Sequence, residues 1–368
     1  MTGFRRWSVV AALVLLVVAA PLAWRAVPAR DQRVSAAALL ARIEAGRDHS
    51  YSGYVESRGT LQLPVADRFT NIGALLGGLT RMRVWWRSSS SWRVAELLAT
   101  GERDTVRDGA LTIAWDFEDN EAERSVDPDI RLPRAADVVP PALGRRLLDD
   151  VDRDHVRRIP ARRVAGRDGL GLRLAPGAPQ SSIDHVDLWA DRETGIPLRV
   201  EVYARPGRRP VLTSEFRSFD PARPEASTTA FTAPDGADSH YDDILDIADA
   251  ANQYAPFVPP PTLAGLAKTP RADRAVGVYG AGMTQLIAVP LWSRAANPLR
   301  EQLLQTPGVR RLEEGTLVRV GPLGLLLTRS WDGVGQGWLI SGTVTDQALL
   351  AAAHDLAAGV RLVVGQFP

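Results

Sequence analysis

The chain has 368 residues, 45% of them hydrophobic and 24% charged, with 44 basic side chains against 43 acidic ones. That is enough apolar content for two domains with separate cores and too much for wholesale disorder. A net charge of +1 supplies no field to hold a polyanion, which argues against nucleic-acid binding. Cysteine is absent, so disulfides, thiolate metal sites, cysteine nucleophiles and cysteine lipidation are excluded.

Arg5 and Arg6 precede an apolar run over residues 7–24, broken only by Ser8 and Pro21. A basic flank followed by such a run is the pattern of an export signal. Its length approaches the ~20 residues that a bilayer-spanning helix needs. The flank predicts a cytoplasmic N-terminus and places the remainder outside. Val27, Pro28 and Ala29 offer small residues to a peptidase, whereas Trp24 and Arg25 suit an interfacial anchor. Residues 1–30 are therefore expected to be a signal anchor or a cleaved signal peptide. The expected location is the cell membrane, single-pass, with the bulk of the chain extracytoplasmic.

Residues 35–45 read as a short helix with Ser35 as cap and Leu39, Leu40 and Ile43 on one face. Tyr51, Tyr54 and Val55 mark a strand. In the stretch 69–79, Ile72, Leu75, Leu76 and Leu79 have the i, i+3, i+4, i+7 spacing of one helix face, with Phe69 just before them. Gly73, Gly77 and Gly78 weaken that helix by ~1 kcal/mol each relative to alanine. A mobile apolar cover and an ordinary amphipathic helix both fit the pattern. The period then changes to two: Met82, Val84 and Trp86 alternate with Arg83, Trp85 and Arg87, and Asp108-Gly109 signals a hairpin. Beyond it Leu111, Ile113, Trp115 and Phe117 alternate with polar residues. A second helix is expected over 137–152. Strands follow at 162–174, 183–190, 198–203 and 211–219, giving an antiparallel sheet of eight or more strands over residues 31–235.

Residues 236–272 hold Pro256, Pro259, Pro260 and Pro261, too many for a regular element, and read as a Pro-rich linker with a short acidic helix. Residues 273–368 have the order ββα, three strands, α: a small α+β domain. Asn297-Pro298 is expected to open its first helix and Thr345 to cap its last.

No P-loop, G-x-S-x-G elbow or paired-histidine metal motif occurs. Asp242, Asp243, Asp246 and Asp249 lack the turn glycine and alternate spacing of a calcium loop, so they read as a solvated acidic face. No catalytic residue, metal or cofactor is expected. Five tryptophans, Trp85, Trp86, Trp92, Trp115 and Trp189, fall on predicted strands. They are consistent with a packed core or with a concave apolar cavity under the 69–79 segment. The candidate ligand-binding residues are Phe69, Ile72, Leu75, Leu76, Leu79, Trp86 and Trp115.

Several segments carry a family resemblance: Tyr51-Ser52-Gly53-Tyr54-Val55, Met82-Arg83-Val84-Trp85-Trp86, Trp92-Arg93-Val94, Gly101-Glu102-Arg103-Asp104-Thr105, Leu188-Trp189-Ala190-Asp191 and Thr194-Gly195-Ile196-Pro197-Leu198. In this order, after an export anchor and a short helix, they resemble actinobacterial relatives of the RseB/MucB family, regulators of an envelope-stress sigma factor. The N-terminal domain of that family looks like the lipoprotein carrier LolA. The resemblance implies an α+β fold: an unclosed antiparallel β-barrel with a helical cover, followed by a small α+β domain. It also implies a non-enzymatic sensor or regulator that binds a lipid or lipoprotein acyl chain and a membrane anti-sigma factor. The alternative is a lipid or lipoprotein carrier of the cell envelope. The N-terminal anchor departs from family members that are released into the periplasm.

Overall fold

A computed structural model of the chain describes residues 28–62, 70–128, 130–149, 151–241, 257–270, 275–329 and 336–362, with the single positions 7, 251 and 255. The apolar run at 7–24, Trp7 excepted, and the acidic stretch at 242–249 lie outside the described residues. Among the described residues, no helix is long and apolar enough to cross a membrane.

Helix α1 (Ala36–Ala45) begins where the Ser35 hydroxyl accepts from the Ala38 N–H at 3.1 Å, and it buries Leu39, Leu40 and Ile43. Strand β1 (Tyr51–Gly59) and the short helix α2 (Thr70–Gly77) precede a meander. Its strands are β2 (Leu79–Ser88), β3 (Ser91–Leu97), β4 (Glu102–Asp108), β5 (Leu111–Asp116) and β6 (Glu121–Val126). Helix α3 (Pro140–Leu148) leads to a second meander: β7 (Val156–Val164), β8 (Arg167–Leu174), β9 (Ile183–Asp191), β10 (Pro197–Ala204) and β11 (Pro210–Asp220). A single turn, α4 (Ala226–Thr229), and β12 (Asp238–Tyr241) complete this part.

The twelve strands form one sheet in the order β12-β6-β5-β4-β3-β2-β1-β11-β10-β9-β8-β7. β1 sits near its middle, paired with β2 on one side and β11 on the other. Within this sheet only β12, beside β6, runs parallel to its neighbour. The edge strands β7 and β12 do not pair, so the sheet is open.

Two sequence expectations are corrected in these elements. The helix expected over 137–152 is confined to Pro140–Leu148. Pro140 and Pro141 have no N–H to donate and fit only a first turn, so the helix cannot start earlier. Leu79 belongs to β2, opposite Arg58, and not to the helix before it. The Gly78 N–H closes the last turn of α2 onto the Ala74 carbonyl at 2.9 Å, and the chain then extends.

Register defines the faces of the sheet. Tyr51 lies opposite Trp86, Gly53 opposite Val84 and Val55 opposite Met82, and Trp92 and Val94 continue this face onto β3. Phe216, Ser214, Val200, Leu188 and Leu172 carry it the other way. On this inner face α1 and α3 bury the β8–β10 half, with Leu39, Ile43, Leu147 and Leu148 against Leu172, Leu188 and Val200. On the outer face Val106, Ile113, Trp115 and Ala122 are buried as well. There the chain after β11 covers them: Arg87 donates to the Pro224 carbonyl, Ser91 and Thr229 hydroxyls meet at 3.0 Å, and Phe231 lies 5.5 Å from Trp115.

Two short antiparallel pairs follow: β13 (Phe257–Val258), which pairs with β22 (Arg361–Leu362), and β14 (Thr262–Leu263) with β15 (Leu266–Ala267). Six further strands make a second antiparallel sheet in the order β16-β17-β21-β20-β19-β18. They are β16 (Gly277–Ala281), β17 (Thr284–Trp292), β18 (Arg310–Arg311), β19 (Gly315–Val320), β20 (Leu323–Thr328) and β21 (Gln336–Gly342). Helix α5 (Ser293–Leu304) packs Ala296 and Leu303 on Val318 and Leu327. Helix α6 (Asp346–Gly359), capped by Thr345, packs Leu349, Ala352 and Leu356 with Leu317, Leu326 and Ile340 from the other side. Contrary to the expected start at Asn297, α5 begins at Ser293 and holds Pro298 inside. Proline there forgoes one helical hydrogen bond, to the Arg294 carbonyl, and the buried Ala296 and Leu303 retain the helix.

Of the proline cluster, Pro256 lies outside the described residues, Pro261 is exposed and the middle two are packed. Pro259 and Pro260 are buried, and the buried Tyr279 hydroxyl donates to the Pro260 carbonyl at 2.7 Å. The two sheets are also joined directly. The Ser182 N–H donates to the Thr343 carbonyl at 3.1 Å and the Thr345 N–H to the Gln180 carbonyl at 2.7 Å. Met283 enters the core of α1 and α3, and Leu61 enters that of α5.

Candidate binding site on the inner face

The expected ligand-binding residues do not form one cluster. Phe69 and the Ile72 side chain lie outside the described residues. Leu75 is 5% exposed and packs in the aromatic core of the inner face with Tyr51, Met82 and Phe216. Leu76 turns instead toward Leu61, Val318 and Val320, at the junction with the second sheet. Leu79 is 38% exposed. Trp86 is on the inner face, but Trp115, paired across from Asp104, is on the outer face with Phe117 and Phe231. Trp85 also faces outward, and the Trp189 N–H donates to the Pro160 carbonyl at 3.1 Å. A single tryptophan-lined concave surface is therefore not what these five residues build.

What the inner face does build is an aromatic stack. Tyr51 and Trp86 lie 6.0 Å apart and nearly parallel at 4°, and Trp86 and Trp92 follow at 5.8 Å and 8°. Phe216 meets Tyr51 edge-on at 5.8 Å. Such arrangements contribute ~1 kcal/mol per pair beyond area burial. From α3, the Arg145 guanidinium lies 5.7 Å from the Trp86 ring centroid, a cation–π contact, and donates to the Arg47 carbonyl at 3.0 Å. Burial pushes the Tyr51 hydroxyl well above its ordinary pKa, with the nearby Arg145 charge pulling weakly the other way. It stays protonated and is a donor.

Toward β6 the same face becomes ionic. Met82 lies opposite Glu96, Glu96 opposite Arg103 and Arg103 opposite Asp116. Burial pushes the Glu96 carboxyl up, partly countered by Arg103. The chain after β6 crosses near this region and is fixed by arginine–aspartate pairs. Asp127 receives Arg134 at 2.8 Å and both Arg107 and Arg131 at 3.5 Å. Asp137 receives Arg131 at 2.7 Å and the Arg134 N–H at 2.7 Å. Burial alone would raise the Asp137 carboxyl; the Arg131 hydrogen bond and charge and the Arg134 N–H outweigh it and hold it below the usual range. Between these anchors Ile130 reaches Val276 and Val289 beside the second sheet.

Between α1, α3 and the sheet lies a cavity of about 20 Å³, lined by Ile43, Tyr51, Pro141, Arg145, Leu148 and Ile196 among others. It holds about one water and no acyl chain. Tyr51 and Arg145 were not among the expected residues. Their signals were the inward register of Tyr51 with Gly53 and Val55 and the placement of Arg145 between Leu143 and Leu147 on α3. Two larger clefts contain none of the expected residues. One, about 520 Å³, is lined by Asp31, Gln32, Arg42, Arg192 and Glu193; the other, about 400 Å³, includes Arg300, Arg311 and Arg329.

No family model and no curated protein sequence matches the chain. Solved structures do. MucB of Pseudomonas aeruginosa, in its complex with MucA, aligns with a TM-score of 0.51 at 18% identity, covering 90% of this chain and 99% of that one. A second structure of MucB, with periplasmic MucA, aligns with a TM-score of 0.50 at 17% identity over 90% of this chain and 100% of that one. A LolA superfamily protein from Nitrosomonas europaea covers only 54% of this chain, at a TM-score of 0.26 and 14% identity, too low to support the fold. The fold, with its large, open and mostly antiparallel sheet, is thus similar to that of MucB over an alignment covering nine-tenths of the chain.

Proposed function

We propose that this chain is a regulatory binding protein of the cell envelope. In this reading residues 7–24 anchor it in the membrane, the inner face under α1 and α3 takes an apolar, lipid-like ligand, and a membrane protein of the anti-sigma-factor kind is its partner. The observation that carries the proposal is the MucB-like fold combined with an inner face sealed by two short helices over an aromatic stack. MucB was solved with MucA bound, which supports a protein partner here.

The units 31–235 and 273–368, with 236–272 between them, act together in this proposal. Ser182, Gln180, Thr343 and Thr345 bind the second sheet to the first through backbone hydrogen bonds. A carrier needs only the ligand site, so this junction favours regulation over transport. Ligand entry must part α1 from α3, because the closed cavity admits no chain.

Two measurements test the proposal. A fluorescent dodecanoyl probe should bind the purified chain from residue 31 onward, and absence of binding would remove the lipid-like ligand. A phosphatase reporter active only outside the cytoplasm, fused at the C-terminus, should be active. Its inactivity in a full-length, stable fusion would remove the envelope location.

A further inference from the structure

At and next to the small cavity beside Tyr51, two buried hydrogen-bond donors have no protein acceptor. Arg145 Nε is buried without an acceptor, and so is the Trp86 indole N–H. Tyr51 lines the same cavity, and among the described residues Arg145 makes no ion pair. Its nearest polar partner is the Arg47 carbonyl. The three groups are adjacent: Arg145 sits over Trp86, and Trp86 stacks on Tyr51. Apart from Arg47, the remaining lining is apolar, with Ile43, Pro141, Leu148 and Ile196. A buried donor without a partner costs ~1–3 kcal/mol, and more when it is charged. Arg145 Nε and the Trp86 N–H are two such donors, and Arg145 lines the cavity together with Tyr51.

We infer that Arg145, with the Tyr51 hydroxyl and the Trp86 N–H, receives the anionic head of a single-chain amphiphile whose hydrocarbon chain runs between α1 and α3. This deepens the proposed function and rests on its lipid-like ligand. The geometry suits a negatively charged oxygen group, a carboxylate or a phosphate, because Arg145 and the Trp86 N–H only donate and the Tyr51 hydroxyl is free to donate as well. A neutral head such as an alcohol supplies one acceptor and no charge to the guanidinium. Arg47, whose nearest carboxylate is Asp149 at 4.0 Å, adds positive charge at the same cavity.

The test compares dodecanoate, dodecyl phosphate and dodecanol binding to the purified chain by calorimetry and tryptophan fluorescence. Wild type should bind one of the anions at least about tenfold more tightly than dodecanol, the scale of a charge-assisted hydrogen bond. Whichever anion binds more tightly identifies the head. Arg145→Gln should bring that anion to the level of dodecanol and leave dodecanol binding unchanged. Tyr51→Phe, which removes only the hydroxyl, should weaken the anion a few-fold and keeps the test open if R145Q fails to fold. Equal binding of dodecanol and both anions by wild type overturns the inference, meaning the donors meet only water, and leaves the lipid-like ligand standing. Retention of the anion preference by a folded R145Q, or by Y51F at full strength, also overturns this assignment. Binding of none of the three overturns both the inference and the ligand reading beneath it.

Discussion

The Leu61 N–H donates to the Leu76 carbonyl at 3.0 Å, tying the end of α2 to the chain that leaves β1. The Gly59 N–H adds a second bond, to the Gly78 carbonyl at 2.9 Å. The approach is close enough that a Cβ on Gly59 would lie 1.8 Å from the Leu76 carbonyl oxygen. Helix α2 is therefore pinned by backbone, and its Leu76 packs at the junction of the two sheets. Leu76→Asp should lower stability by roughly 3 kcal/mol, since it places an unpaired charge among Leu61, Val318 and Val320. Urea unfolding followed by circular dichroism measures this. A change below ~0.5 kcal/mol would mean that Leu76 is a loosely held cover after all.

Acid should unfold the first sheet through Asp191. Its carboxylate accepts two hydrogen bonds from Arg167 at 2.9 Å, and both the N–H and the hydroxyl of Thr194 at 2.9 Å. Burial raises its pKa, but the Arg167 and Thr194 bonds outweigh burial and the net shift is downward. The stabilisation is thus fully present above the unfolded value of ~3.9 and is lost as pH falls toward the lower folded value. Asp191→Asn should cost ~3 kcal/mol at neutral pH. It should also flatten the decline of the urea midpoint below pH 4. An equally steep decline in D191N would assign acid sensitivity to other carboxylates.

The proline cluster should resist proteolysis. Phe257 and Leu263 are buried, Val258 pairs with Arg361, and Tyr279 holds the Pro260 carbonyl. Limited digestion of the native chain should leave residues 257–267 uncut. Early cleavage there would show that these contacts open readily.

Ile130 should couple the two sheets. Its side chain meets Val276 and Val289, while Asp127 and Asp137 fix the segment on either side. Ile130→Asp should cost ~2 kcal/mol and split a single calorimetric transition into two. A single transition with unchanged midpoint would leave the junction to the Ser182–Thr343 and Gln180–Thr345 bonds and to the packing of Met283, Leu61 and Leu76.

The legible parts of the fold were those set by local pattern. The alternation at 82–86 assigns Met82, Val84 and Trp86 to one face, and they share it. The hairpin signalled by Asp108-Gly109 is present, with Asp108 opposite Leu111. Trp115 was misplaced because on β4 and β5 the buried apolar face is the outer one: Val106, Ile113 and Trp115 lie there, while Arg103, Thr105 and Asp116 lie on the inner face, so apolar alternation does not say which face is inner. The deciding contact is the Asp104–Trp115 pairing, set by a hairpin register, together with the cover from Phe231, more than a hundred positions away in sequence. Pro260 is placed by contacts of the same distant kind: it lies against Gly359 and its carbonyl accepts from Tyr279, which no local pattern connects to it. The site itself was partly legible. Trp86 was found from its strand, whereas Tyr51 and Arg145 meet only through the packing of α3 on the sheet.

The central position of β1 has a consequence for how the chain assembles. Its Gly59 must find Leu212, and its Ser52 must find Asp220, before the β7–β11 half of the sheet can join the β2–β6 half. A chain emerging N-terminus first would keep one edge of β1 bare until β11 had followed. That long wait predicts slow closure, since distant pairings must bear loop entropy before they gain contacts. Until then Tyr51 and Val55, the floor of the aromatic stack, stay open to any apolar binder, including a chaperone that guides unfolded polypeptide.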